Sequence, residues 1–320
     1  MAWYIVVFAF IASCFLLSWL SSRLIKSLVV IANFLQWREF IIAFFVIAFA
    51  VSLPNLFVDL SAAFHGMPEI ALGDILGGNF IDLTLVMAIA IFFSKGAIST
   101  ESDMVQKSAM VTSGVAILPL FLILDGAVGR LDGILLVLAF ILYAVWLFSK
   151  KERFTKVYRG KAIAPIKDFK EFLKNLLMIG IFLALLLAIS QAVVSSAQFF
   201  SAQLGISLSL VGILIIGLGN CFPETYFSII SARRGEHWLV LGDLMGSVIV
   251  TSTLVLGIIA LVSPFKINDF SPFLIARVFL VVGSICALLF IKSGRKITKK
   301  EGALLLFIYI GFLLTEIFIK

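Results

Sequence analysis

Residues 215–255 read IIGLGNCFPETYFSIISARRGEHWLVLGDLMGSVIVTSTLV, and residues 46–86 read VIAFAVSLPNLFVDLSAAFHGMPEIALGDILGGNFIDLTLV. At a constant offset of 169 residues the two superimpose without a gap. Pro223 falls on Pro54, Gly235 on Gly66, Gly242 and Asp243 on Gly73 and Asp74, Gly246 on Gly77, and Thr253-Leu254-Val255 on Thr84-Leu85-Val86. Chance aligns a glycine or two in apolar sequence, but rarely keeps proline, Gly-Asp and glycine in register. The chain therefore carries an internal repeat, and its function is expected where the two copies meet.

The surrounding composition sets the solvent. Of 320 residues, 62% are hydrophobic and only 13% charged, with a mean hydropathy of +1.17; soluble domains run at roughly 45–50% apolar and about 25% charged. The chain is read as a polytopic membrane protein with no separate soluble domain. Cys14, Cys221 and Cys286 lie in apolar runs without paired or metal-type spacing. The first apolar segment lacks a basic leader and a small-residue cleavage site, so it reads as a retained span.

Apolar runs long enough for roughly 30 Å of hydrocarbon fall near 3–22, 39–64, 69–94, 107–125, 131–149, 171–200, 206–232, 237–263, 270–292 and 302–319. The fold class predicted is an all-α membrane protein of ten transmembrane helices in two five-helix repeats. These occupy residues 1–149 and 171–320, with a basic loop at 150–170 between them. Basic residues choose the orientation. Arg23, Lys26 and Arg38 follow the first span, Lys95 and Lys107 the third, and the basic loop the fifth. Arg233 and Arg234 follow the seventh, and Lys292, Arg295, Lys296, Lys299 and Lys300 the ninth; the opposite loops hold only Arg130, Lys266 and the terminal Lys320. Odd-numbered loops are thus expected in the cytoplasm of a multi-pass cell-membrane protein, with both termini outside. The net charge of +7 is mostly this bias and calls for no nucleic acid. Five spans per half is an odd number, so the second copy enters the membrane upside down, a recurring plan of secondary transporters.

The repeats also carry chemistry. A proline inside a helix leaves the carbonyl four residues back without its partner, so Pro54 should free Ala50 C=O and Pro223 that of Gly219. Non-helical backbone at membrane depth is tolerated only where protein, water or an ion satisfies it. Asn55 and Glu224 follow the prolines, and Asp74 and Asp243 lie in the next span, where Gly73, Gly77, Gly78, Gly242 and Gly246 permit bent or closely packed backbone. A carboxylate at a helix centre costs about 2.5–3.5 kcal/mol on the insertion scale. Asp74, Glu224 and Asp243 near one point would also repel, so a cation or protons must offset them. Carboxylate, amide and carbonyl oxygens are hard ligands. Kinked helices suit the flexible shell of Ca2+ better than the tight octahedron of Mg2+, and Na+ can share the same oxygens.

A proline and acid in one helix, Gly-Asp-x-x-Gly in the next, and the whole repeated, resembles the α-repeats of the calcium/cation antiporter superfamily, most closely prokaryotic Na+/Ca2+ exchangers. Carried over by position, the resemblance implies Ca2+ ligands at Asn55, Asp74, Glu224 and Asp243. Groups serving Na+ would map to Ala48, Val51, Ser52, Gly217, Asn220 and Cys221. It also implies that the first and sixth spans slide across a rigid core formed by the others. The sequence departs from the family's A-x-G-T-S-x-P-E motif: Asn55 replaces the glutamate, Val51 lacks the threonine hydroxyl, and Cys221 is a poor Na+ ligand. Asp74 stands where exchangers often have Asn, which keeps the acid count at three. The second copy, with Gly219 and Asn220 ahead of Pro223 and Glu224, is similar to the Gly-Asn-x-x-Glu of Ca2+/H+ exchangers.

The resulting expectation is a secondary antiporter exchanging Ca2+ for Na+, with Ca2+/H+ exchange as the alternative. A cation channel and an exchanger-derived membrane protein that no longer transports also stay open. No enzyme is expected, because no nucleophile–base set or nucleotide motif is present. No cofactor is implied beyond the transported Ca2+ and Na+ or H+. The partners are those ions and the lipid bilayer, and a monomer suffices. Asp59 sits one turn past Asn55 on the same face and Asp82 two turns past Asp74; each is as readily a buried polar bond as part of the ion path. His65 and His237 read as interfacial residues at span ends, and the 150–170 loop as a positive-inside determinant.

Overall fold

Each proline opens a new helix after a break. Ser52 (φ −80°, ψ −4°) precedes Leu53–Phe64, and Cys221 (φ −78°, ψ 1°) precedes Phe222–Arg234. These two turn-like residues are themselves 169 apart, and a proline fits the first helical turn beyond them because its missing N–H is not needed there. The computed structural model describes residues 3–34, 51–149, 169–267 and 269–318. The expected second span is therefore described only from residue 51, and Ala48, Ala50 and most of the 150–170 loop lie outside the described residues.

In chain order the helices are α1 (Trp3–Phe34), α2 (Leu53–Phe64), α3 (Pro68–Phe93), α4 (Asp103–Leu122), α5 (Arg130–Ser149), α6 (Phe169–Leu204), α7 (Leu208–Arg234, broken at Cys221), α8 (His237–Val262), α9 (Leu274–Lys292) and α10 (Lys299–Phe318). Among the described residues eight of these are long and apolar enough to cross a membrane. The other two are α2, of which 12 residues are described, and α10, whose 20 residues include Lys299, Lys300, Glu301 and Glu316. Four two-residue strands join the loops in antiparallel pairs: β1 (Ile98–Ser99) with β4 (Lys296–Ile297), and β2 (Ala127–Val128) with β3 (Phe265–Lys266).

Element boundaries recur at the repeat's own offset well beyond residues 46–86. Arg130–Ser149 falls on Lys299–Phe318, Ala127–Val128 on Lys296–Ile297, and Met87–Phe93 on Leu256–Val262. Within α3 and α8, π-helical turns over Asp82–Val86 and Val250–Val255 occupy matching places; such turns shift the face a helix presents and occur often at functional sites. Thr84 and Thr253, again partners by offset, donate to Phe80 O and Ile249 O at 2.5 Å and so satisfy buried hydroxyls within their own helices.

Burial orders the layers. In α3 and α8, 83% and 78% of the most apolar stretch is buried, against 28% in α6. Lipid tails are as apolar as leucine, so helices in a bilayer associate through packing, and small residues let backbones close. That is how α3 meets α7. A Cβ on Gly73 would lie 2.5 Å from Ser209 O, one on Gly212 2.5 Å from Ile70 O, and one on Gly217 3.0 Å from Gly78 N. On the other flank of α3, Phe80 packs edge-on against Phe312 at 4.9 Å and Phe279 at 6.1 Å, locking in α9 and α10. The long helices α1 and α6 pack on each other, with Trp3 against Phe199 and Phe200 and Phe10 against Phe200 at 5.5 Å. From there α1 reaches the break in α7: Cys14 Sγ and Phe10 fill the space a Cβ on Gly219 would take.

Candidate cation site

Helix α2 delivers Asn55 and, one turn later, Asp59; α3 delivers Asp74, Asn79 and Asp82; α8 adds Thr251. Together with Ile75 and Gly78 they line a cavity of about 200 Å³, too narrow for a water molecule as it stands. All six polar residues are buried, and Asp59 is 0% exposed. Gly78 belongs here because it lacks a side chain: a Cβ there would look onto Asp74 Oδ1 at 3.7 Å and Cys221 Sγ at 3.8 Å.

Three polar links tie the helices around this cavity. Asn220 Nδ2 donates to Asp74 Oδ2 at 2.6 Å, joining α7 to α3. Asn79 bridges α3 to α8, accepting from Thr251 Oγ1 at 2.6 Å and donating from Nδ2 to Ser252 Oγ at 2.7 Å. Cys221 Sγ points at Gly78 O at 3.6 Å. Hydrogen bonds across membrane helices average about 0.6 kcal/mol and reach ~1.7 kcal/mol. Asn79→Ala severs two of them, and its expected cost is about 1–2 kcal/mol, read as a lower unfolding temperature in detergent; an unchanged value would show the bridge to be idle.

Many oxygens around the cavity have no hydrogen-bond partner. They are Asn55 Oδ1, both oxygens of Asp59, Asp74 Oδ1 and Asp82 Oδ1, joined nearby by Glu224 Oε2 and both oxygens of Asp243. Asp59 and Asp74 face each other carboxyl to carboxyl, and two bare carboxylates cannot bond each other because neither has a proton to donate. Asp82 lies within hydrogen-bonding reach of Cys221 and Ser247 and within electrostatic range of Glu224 and Asp243. Ser247 Oγ also approaches Glu224 Oε1 at 3.5 Å. Orphaned buried acceptors at this density are costly and suited to holding a cation. Even so, no three acid, His or Cys side chains among the described residues are grouped closely enough to hold a metal ion without moving.

Of the residues expected from sequence, Asn55 and Asp74 line the cavity, and Asn220 and Cys221 are bonded at its edge. Glu224 and Asp243 are fully or nearly fully buried but do not line it; both lie within electrostatic range of Asp82, which does. Ser52 is buried at the break before α2. The Gly217 carbonyl accepts Cys221 N–H at 3.2 Å, a helix bond, and Val51 packs among Phe227 and Trp238. Asp59, Asp82, Asn79 and Thr251 were not in the expected ligand set. Helical spacing flagged the first two, and the 169-residue offset pairs Thr251 with Asp82. His65 caps the exposed end of α2 through Ser61 O at 2.7 Å, and His237 starts α8 beside Ser94 and Ser99 at 3.2 Å.

Comparison with known proteins assigns this arrangement to a family. The model of the sodium/calcium exchanger protein family matches residues 5–149 and 174–318, two stretches separated by the same 169 residues. CaxA of Alkalimonas amylolytica is 28% identical over 93% of this chain and 94% of its own length. The sodium/calcium exchanger MaX1 of Methanosarcina acetivorans is 25% identical over 93% and 95%, and the inner membrane protein YrbG of Escherichia coli 27% over 83% and 82%. The sodium–calcium exchanger NCX_Mj shares the fold, with a TM-score of 0.67 over 98% of this chain and 99% of its own, at 24% identity. The chain belongs to the sodium/calcium exchanger family and is a membrane cation antiporter of that family.

Proposed function

We propose that this antiporter exchanges Ca2+ for Na+ by alternating access, with one cation site between two inverted five-helix repeats, one before and one after the 150–170 loop. The observation that carries the reading is the set of orphaned, fully buried acid oxygens contributed by α2, α3, α7 and α8, in a chain of the exchanger family. Asp74, Glu224 and Asp243 supply the charge that holds Ca2+, and Asn55 adds a neutral amide oxygen. Ser52, Asn220, Cys221 and Gly217 carry the groups that serve Na+, together with Ala48 by its position in the repeat. Reorientation occurs only when the acids are neutralised by their ions, because bare carboxylates in a low-dielectric core are too costly to carry across.

Several features support the wider plan of ten inverted spans. The strand pairs join the loop holding Lys95 to the loop holding Arg295 and Lys296, and the loop holding Arg130 to that holding Lys266. This agrees with basic loops on the cytoplasmic side and both termini outside. The packing of α1 on α6, and the seat of α1 over the break in α7, suit a pair that slides across the other helices.

A second reading, Ca2+/H+ exchange, has one specific observation in its favour: Asp59 faces Asp74 across the cavity, where one proton would be shared between them. Ca2+ uptake into proteoliposomes under an imposed Na+ gradient, compared with an imposed pH gradient, separates the two. Uptake is expected with Na+ at constant pH, but with weak Na+ saturation, because Val51 offers no hydroxyl and Cys221 only a thiol. Uptake under the pH gradient alone would move the assignment to proton exchange, and tight saturation by Na+ would overturn the expected weakness.

A further inference from the structure

The two copies place their acids differently on the proline helix. After Pro223 the second copy has Glu224 and, one turn on, Ser228; after Pro54 the first has Asn55 and, one turn on, Asp59. Each pair is buried, with Asp59, Glu224 and Ser228 all 0% exposed. One acid per helix is kept, but in α2 it has moved a turn further from the break. The next helices are lopsided as well: Asp82 of α3 stands opposite Thr251 of α8, and Asn79 opposite Val248. Charge is therefore concentrated on the first copy's side of the cavity, where Asp59, Asp74 and Asp82 line the wall and, among the described residues, Thr251 alone comes from the second copy.

We infer that Asp59 is itself a cation ligand, and that the ion sits off the centre of the repeat pair, toward α2 and α3. This rests on the antiport reading and deepens it. Neither Asp59 oxygen accepts from a hydroxyl or amide among the described residues; the carboxyl it meets is that of Asp74, and both acids line the cavity alongside Asn55 and Asp82. A carboxylate retained for structure would be expected to accept from a nearby hydroxyl or amide, as Asp74 does from Asn220. The buried oxygens around the cavity belong to carboxylates and one amide, so the ligand is a hard cation, Ca2+ or Na+. The acids must close in by a small movement of side chains or of α2, since they do not yet converge as a finished cage.

Exchanging the acid between the two positions tests this. Asp59→Ser gives α2 the residue its repeat partner has, and is expected to raise the KM for Ca2+ about tenfold or more, as loss of one charged ligand does. Adding Asn55→Glu to that variant rebuilds the α7 pattern on α2 and is expected to recover most of the loss. Asp59→Ser with the wild-type KM overturns the inference. So does a double variant no better than the single one, which would mark Asp59 as a packing residue. If the wild-type chain moves no Ca2+ under either gradient, it is the antiport reading that fails. The same variants are then compared by the rise in unfolding temperature that Ca2+ or Na+ produces: a rise that Asp59→Ser abolishes and the double variant restores sustains the inference, and any other pattern overturns it.

Discussion

Glu224→Gln is expected to cut Ca2+ transport by about a hundredfold or more, which corresponds to about 2.8 kcal/mol at roughly 1.4 kcal/mol per tenfold. Glutamine keeps the shape of the side chain and can still accept from Ser247 Oγ, which lies 3.5 Å from Oε1. What it removes is one negative charge from a group buried at 0% exposure within range of Asp82 and Asp243. Oxygen-ligand sites tune cation affinity through the number of charged ligands, so the loss falls on ion binding. Stability moves the other way. Neutralising one of several mutually repelling buried acids should leave the unfolding temperature unchanged or slightly higher without Ca2+, and should shrink the rise that added Ca2+ produces. Normal flux from this variant would remove Glu224 from the site.

Gly77→Leu is expected to yield no monodisperse folded protein. The Cβ alone would lie 2.7 Å from Ile213 Cα, against backbone that cannot rotate away. Overpacking a core typically costs about 1–3 kcal/mol when side chains can shift. Here α3 and α7 must separate instead, breaking the Asn220–Asp74 bond and the glycine seam at Gly73, Gly212 and Gly217, in a protein whose whole margin is on the order of 5–15 kcal/mol. The neighbouring Gly78→Ala is the control. Its Cβ meets only Asp74 Oδ1 and Cys221 Sγ, at ordinary contact distances, so it should fold normally and register only in ion affinity. Size-exclusion profiles and unfolding temperatures of the two variants decide the matter; a well-behaved Gly77→Leu would show that the seam is not needed.

The contrast between these adjacent glycines shows what was legible in the chain. Both stood out as small residues beside an intramembrane acid, but nothing local distinguishes the one that seats a neighbouring backbone from the one that opens onto the cavity. Asp59 and Asp82 were legible as acids at helical spacing from Asn55 and Asp74. Their place on the cavity wall depends on how α2 and α3 turn toward each other, and on a π-helical turn at Asp82 that resets the face of α3. The four expected Ca2+ ligands were legible as types, yet only Asn55 and Asp74 border the cavity, because which acids meet there depends on how the helices pack.

By itself the sequence determined the membrane solvent, the repeat and the helix interruptions at Pro54 and Pro223. Hydropathy, a missing proline N–H and the register of Gly-Asp pairs are properties of the local chain and need no partner. Only the tertiary structure decided which buried oxygens share a space and which glycines touch. Those are distances between helices far apart in sequence, 173 residues in the case of Asn79 and Ser252, and they are set by the rotation and crossing of packed helices.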